Sequence, residues 1–295
     1  MQTDVHINTL VIVGPGLIGG SVAAALKKHQ RVERVIGVGR NPASLEHARS
    51  LGLIDEVLPL AEATAQADMI LLAMPVGATA TVLAELSPHL RPHTVVTDAG
   101  STKADVVAAV YQTLPKAQWP QFVPAHPIAG SEATGPEAAS AELYVDRKVI
   151  LTPTEHTASW AVKPVSALWE SCGARILRMD ADTHDRVLAS VSHVPHFLSA
   201  VYMWQVASAQ DAECRLDVAG SGFRDFTRIA AGSAEVWRDI FLSNREAVLA
   251  ELKAVREAFE QAETALADAD ADQLERFLER AALARRLWGS RSGLR

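Results

Sequence analysis

Short apolar runs alternate with helical patterns over the first part of the chain, and then the alternation stops. Leu10–Val13, Val35–Val38, Met69–Ala73 and Thr94–Asp98 are continuous apolar or β-branched segments of strand length. Each is followed by a loop and a helical stretch, as a buried parallel strand requires. Val57–Leu58 predicts a marginal extra strand, and Phe122–Ala125 and Val149–Thr152 predict two later ones. Helices are predicted over residues 20–28, 42–51 and 164–171. From about Asp180 onward the strand signals end, and amphipathic segments at residues 183–209, 235–267 and 272–288 predict helices alone. The pattern therefore predicts an α/β fold: a doubly wound parallel sheet in residues 1–179, followed by an all-α domain in residues 180–295.

Composition narrows what such a chain can do. With 48% hydrophobic and 21% charged residues over 295 positions, it can bury the cores of two ordinary domains. The net charge of -7 argues against broad attraction to nucleic acid or anionic lipid and points to a small-molecule partner. Cys172 and Cys214 lie far apart, without the spacing of a zinc site or a redox pair, so no metal is expected. The first ten residues lack a basic segment followed by an apolar one, and no run approaches the roughly 18 to 20 apolar residues of a membrane span. Cytoplasm is the expected location.

The first strand runs directly into Gly14-Pro15-Gly16-Leu17-Ile18-Gly19, and a helix follows. In a strand–turn–helix this spacing is the dinucleotide fingerprint of a Rossmann-type domain. Gly14 permits the tight turn, Gly16 lets a pyrophosphate approach the backbone, Gly19 lets helix and strand pack closely, and the helix N-terminus faces the phosphates. Leu17 and Ile18 belong to the same cofactor-binding set, as do Met74 and Pro75 just past the Met69–Ala73 strand. An acidic residue that would grip the ribose of NAD is expected about 20 residues past Gly19. Gly39-Arg40-Asn41 stands there instead. The missing carboxylate removes repulsion of a 2′-phosphate, and Arg40 can pair with that phosphate or stack on adenine. NADP is the expected cofactor, with NAD as the alternative.

Later segments carry the reaction. Asp98-Ala99-Gly100-Ser101-Thr102-Lys103, Ala125-His126-Pro127-Ile128-Ala129-Gly130-Ser131-Glu132, Ser192-His193-Val194-Pro195-His196 and Gly222-Phe223-Arg224-Asp225-Phe226-Thr227-Arg228-Ile229-Ala230 occur in that order behind the glycine loop. Together they resemble the prephenate and arogenate dehydrogenases of tyrosine biosynthesis, over nearly the whole chain. The His126–Gly130 and Gly222–Ala230 segments are specific to that family, whereas the glycine loop is shared with many dehydrogenases.

The resemblance implies oxidative decarboxylation of prephenate or L-arogenate, with hydride leaving the hydroxyl-bearing ring carbon for NAD(P) as carbon dioxide departs. Such chemistry needs a base near the hydroxyl and cations for the carboxylates. His126, expected just after a strand end, is assigned the hydroxyl; by itself a His before Pro reads as a loop residue making a structural hydrogen bond. By resemblance Ser101 bonds the substrate hydroxyl, His126 or the nicotinamide; read alone it is an N-cap for a helix over residues 103–114. Arg228 is assigned a substrate carboxylate, against the plainer reading of an Asp225–Arg228 ion pair on an exposed face.

His193 and His196, at i and i+3, are expected on one side of a helix, with Pro195 disturbing it, and by resemblance His196 faces the substrate. Ser131 and Glu132 join the substrate set, Glu132 gating the site or balancing Arg228. Trp237 is read as core, interface or pocket wall. The helical domain is expected to form a homodimer, and tyrosine to compete at the active site. Rival readings are a β-hydroxyacid dehydrogenase or imine reductase, whose catalytic lysine in the first long helix is replaced here by His193 and His196, and a non-catalytic NADP-sensing protein.

Overall fold

The computed structural model describes residues 6–130 and 133–292; Ser131 and Glu132 lie outside the described residues. The chain divides into two compact units, residues 1–245 and 246–295.

The first unit opens with β1 (Ile7–Val13), α1 (Leu17–Lys28), β2 (Val32–Val38), α2 (Pro42–Ser50), β3 (Glu56–Val57), α3 (Leu60–Gln66), β4 (Met69–Leu72), α4 (Thr79–Leu86), β5 (Val95–Asp98), α5 (Ala104–Thr113) and β6 (Phe122–Val123). The six strands form one parallel sheet in the order β3-β2-β1-β4-β5-β6. Because successive strand residues point to opposite faces, β1 feeds two cores at once. Leu10 and Ile12 pack with Val22 and Leu26 of α1, while Val11 and Val13 pack with Leu83 and Leu86 of α4 and Val106 and Val110 of α5. Fully burying such a side chain contributes about 1.5–3 kcal/mol relative to exposure. The order reverses direction on either side of β1, and the crevice between β1 and β4 at their carboxyl ends is where this fold binds ligands.

The Phe122–Ala125 segment is not one strand. Pro124, which has no N–H to give a ladder, separates β6 from β7 (Ala125–Pro127), and its carbonyl accepts from Thr152 N at 3.0 Å. A second sheet follows, with β7 antiparallel to β8 (Lys148–Leu151) and β8 parallel to β9 (Arg175–Arg178). His126 pairs with Ile150 in mid-strand, so the expectation that it follows a strand end is corrected. The β9 strand escaped the pattern because it has only two apolar residues, flanked by arginines, and lies at the exposed edge of its sheet. Between β8 and β9, α6 (Ser159–Ser171) buries Val162, Val165, Leu168 and Trp169 in the same core as α1.

From residue 181 to the end of the description every regular element is helical. Asp180 caps α7 (Ala181–Leu188) by accepting from Thr183 N at 2.7 Å. A π-helical turn over Ala189–His193 joins α7 to α8 (Val194–Ala207), where Pro195 withholds the N–H that would continue the α ladder. The predicted helix over 183–209 is therefore two helices around a wide turn. Next come α9 (Ala212–Asp217), α10 (Ser221–Thr227), a 3-10 turn over Arg228–Ala231, and α11 (Ala234–Ser243), capped by Ser233. In the second unit, α12 (Arg245–Ala267) and α13 (Ala271–Ser292) are joined by a short turn in which Asp270 caps α13. No described helix is long and apolar enough to cross a membrane.

Candidate active site

A cleft of about 1050 Å³ opens at the carboxyl ends of the central strands. Gly14, Gly16, Leu17 and Ile18 form one wall, Gly39, Arg40 and Asn41 another, and Met74 and Pro75 a third. Gly14 has φ +90°, and a Cβ there would lie 2.8 Å from the Ala73 carbonyl oxygen. A Cβ on Gly16 would meet nothing within 4 Å, so the backbone at the start of α1 is open to an approaching group. These features fit a dinucleotide pyrophosphate: an unobstructed loop with the free N–H groups of a helix start behind it. Gly19 is buried and does not line the cleft; a Cβ there would sit 2.6 Å from Ile12 Cγ2. Its part is the close packing of α1 on β1.

Asn41 is spent on local structure, its Oδ1 accepting from Ala43 N and Ser44 N to cap α2. Arg40 is 83% exposed and touches Glu235 of α11 at 3.5 Å. That carboxylate comes from a different part of the chain and was invisible to a reading of the β2 terminus.

The chemistry-bearing residues meet around β5 and β7. Asp98 ends β5, and its carboxylate accepts from Gly100 N at 2.8 Å and Ala125 N at 2.9 Å and from the buried Lys103 ammonium. One side chain thus ties the Ser101 loop to the strand carrying His126. Ser101 lines the cleft. It does not cap α5: the N–H groups of Lys103 and Ala104 go to the Asp185 carboxylate at 2.8 and 2.9 Å. A carboxylate beside two unpaired helix N–H groups is favoured by the local dipole as well as by the bonds.

Asp185 and His184 were not singled out from the sequence. Both are buried on the inner face of α7 together with Leu188. His184 Nδ1 lies 2.8 Å from Asp185 Oδ1, and His184 Nε2 lies 2.8 Å from His126 Nδ1. Burial pushes the Asp185 carboxyl up, but the His184 N–H and the Ala104 and Lys103 N–H groups outweigh it and hold it below its usual range. Burial lowers His126 well below 6.5, and the neighbouring His184, Lys103 and His193 act in the same direction. His126 is therefore neutral at physiological pH. The one hint in the sequence was an adjacent His–Asp pair at positions that helical periodicity turns inward.

His193 is also fully buried, and burial lowers it to about 4 against the pull of the Asp185 carboxylate. Asn244, likewise missed, donates from Nδ2 to the Asp185 carbonyl at 2.7 Å and to His193 Nδ1 at 3.1 Å. His196 donates from Nδ1 to the Ser192 carbonyl at 2.8 Å and stacks on Trp237 with ring centroids 3.7 Å apart. His193 approaches the same indole at 6.4 Å, so the two histidines do share a side. Trp237 lines the cleft, joining this group to the glycine wall. Arg228 stands in the exposed 3-10 turn, close enough to add to the burial that lowers His196. Arg224 lies 3.6 Å from Asp225.

Comparison with known proteins accords with this geometry. Residues 22–178 match the model of the prephenate dehydrogenase nucleotide-binding domain, and residues 180–280 that of the prephenate dehydrogenase dimerization domain. A cyclohexadienyl dehydrogenase of Zymomonas mobilis is 37% identical over 270 residues, covering 90% of each chain. A crystal structure of prephenate dehydrogenase from A. aeolicus, in complex with hydroxyphenyl propionate and NAD+, is 32% identical with a TM-score of 0.89, covering 96% of this chain and 99% of that one. The arogenate dehydrogenase of Synechocystis is 30% identical with a TM-score of 0.78, covering 95% of this chain and 99% of that one.

Proposed function

This chain belongs to the prephenate dehydrogenase family, and from that premise we propose that it catalyses oxidative decarboxylation of prephenate or L-arogenate, giving 4-hydroxyphenylpyruvate or L-tyrosine. The observation that carries this reading is that Ser101 and Trp237 line the same cleft as Gly14–Ile18. Residues assigned to substrate and to cofactor from distant parts of the sequence thereby share one space.

When bound, the nicotinamide would supply the acceptor for the hydride that leaves the hydroxyl-bearing ring carbon. His126, neutral and buried, takes the hydroxyl proton in hydrogen bonding as the carbon becomes carbonyl-like. Loss of carbon dioxide leaves its bonding electrons in the ring, which becomes aromatic, and His126 returns the proton to the phenolic oxygen. Ser101 orients the hydroxyl from the cleft wall. Arg228 offers a permanent, planar, bidentate cation to a carboxylate, with His196, held on Trp237, beside it.

For the cofactor, NADP is the reading we favour. It is supported by the absence of a carboxylate in Gly39-Arg40-Asn41 and by the exposure of the Arg40 guanidinium. The boundary at residues 179/180 belongs to the same reading and is supported by the change of family model there. So is a homodimer through the helical half, where Leu249, Phe259, Leu266, Phe277, Leu283 and Trp288 are exposed in the single chain.

The test is a spectrophotometric assay of the pure protein with each substrate and each cofactor. Turnover with at least one substrate is expected, faster with NADP; absence of turnover in all four combinations overturns the function. Arg40→Ala should lower kcat/KM with NADP about tenfold, the size of a lost charge-assisted contact, and leave the NAD value within about twofold.

A further inference from the structure

The buried row Asp185–His184–His126 decides where protons sit. An ionised carboxylate offers only acceptors, so His184 Nδ1, 2.8 Å from Asp185 Oδ1, must carry a hydrogen. A neutral imidazole protonated at Nδ1 has a bare Nε2, and this atom faces His126 Nδ1 at 2.8 Å. His126 Nδ1 is then the donor of that bond, and its Nε2 keeps the lone pair. The Asp185 end is pinned: the same carboxylate accepts from the backbone N–H groups of Lys103 and Ala104, so it cannot turn away. His184 has no freedom either, being fully buried and edge-on to His126 with ring centroids 5.0 Å apart.

We infer that His184 and Asp185 are positioning residues that lock His126 in the Nδ1–H tautomer, so that Nε2 is the atom that accepts the hydroxyl proton. This rests on the reading of His126 as the base. The relay also joins the two halves of the site. Asp185 holds the start of α5, three residues beyond Ser101, with the carboxylate that orients His126, so base and hydroxyl-binding serine are set by one side chain. A substrate proton shared with His126 Nε2 makes the ring more cationic, and the Nδ1–H then bonds more strongly to His184, whose own N–H leans on a fixed negative charge. The serine-protease triad uses a carboxylate on a histidine in the same way, there with no second imidazole between them.

Asp185→Asn tests the lock with little change of shape. With Oδ1 kept on Ala104 N and Nδ2 turned toward His184, at the loss of the Lys103 N–H bond, the amide reverses the row: His184 Nδ1 accepts, its Nε2–H donates to His126 Nδ1, and His126 is left protonated at Nε2. A fall in kcat of about a hundredfold or more is expected, below the roughly 10⁴ of the corresponding triad change, with KM for NADP within about threefold. At His184, Gln retains an acceptor for the His126 Nδ1–H and Phe does not. His184→Gln should therefore keep at least about tenfold more kcat than His184→Phe. Equal losses in both variants at matched Tm would reduce His184 to a packing residue and overturn the relay.

Two-bond ¹H–¹⁵N correlation of ¹⁵N-histidine-labelled enzyme reads the tautomers directly and needs no variant to fold. His126 protonated on Nδ1 alone is the expected result. His126 protonated on Nε2, or a doubly protonated His184, sinks the proposal. His126→Asn separates the two readings. If it abolishes turnover while Asp185→Asn does not, the relay fails and the base stands; if it leaves turnover intact, the base itself was wrong.

Discussion

The cofactor cleft and the histidine centre lie in the same unit of the chain, yet they are built from different parts of the peptide. The glycine wall of the cleft is made of backbone: the turn at Gly14, the bare loop at Gly16 and the start of α1 are contiguous in sequence and need no distant side chain to take shape. The centre is made of side chains from β5, β7, α7, the π-helical turn and the end of α11, none of which has that geometry alone. A backbone-built site fails by steric intrusion, whereas a side-chain-built site fails by loss of one hydrogen-bonding atom with the fold intact. The two regions should therefore break differently.

The largest expected effect is on the side-chain site. His126→Asn should lower kcat by about 10² to 10⁴, the usual contribution of a positioned acid–base group, while affinity for the nicotinamide cofactor, measured by fluorescence titration, stays within about threefold. A parallel loss of cofactor binding would show that the two regions are not separable. At the cleft, Gly14→Ala places a Cβ 2.8 Å from the Ala73 oxygen at φ +90°. Such strain costs about 1–3 kcal/mol, and weaker cofactor binding should come with a lower Tm, measured by calorimetry, because the turn belongs to both.

A third substitution, Arg228→Ala, removes a charge without touching either core. It should raise KM for substrate about tenfold, as loss of a charge-assisted bond does, and change kcat little. An unchanged KM would remove Arg228 from the carboxylate site.

The smallest and most general effect concerns pH. His193 titrates at about 4 in the folded chain against an ordinary 6.5. Between those values the unfolded chain binds a proton that the folded chain refuses, so the stability is present above the unfolded value and is lost as pH falls through that window. The urea midpoint should be level above neutrality and decline on acidification below it. His193→Asn should make the decline shallower but not flat, since burial lowers His126 in the same direction.

The same contrast governs what could be read from the chain. Continuous apolar runs such as Leu10–Val13 and Met69–Leu72 announced the sheet because both faces of a parallel sheet are buried, and burial leaves its mark on every residue. The edge strand β9 has two apolar residues between arginines, which is too little pattern to read. Pro124 divides one apolar segment between two sheets, a division that depends on where β8 lies to receive the second part. Among the candidate site residues, His126, Ser101 and Arg228 stood in recognisable segments. His184 and Asp185 did not: their one sign is a place on the inward face of an amphipathic helix, which does not name their partners. Asn244 and Glu235 carried no local sign of their partners at all.

The sequence by itself determined the doubly wound sheet, the glycine turn that opens a dinucleotide cleft, and the family to which the reaction belongs. These rest on periodicity and on backbone conformations that only certain residues permit, and both are local. Which atom faces His126 Nδ1, what caps α5, and which carboxylate stands against Arg40 were decided only by the tertiary structure. Each depends on a hydrogen bond between residues tens of positions apart or more, whose distance no local preference encodes.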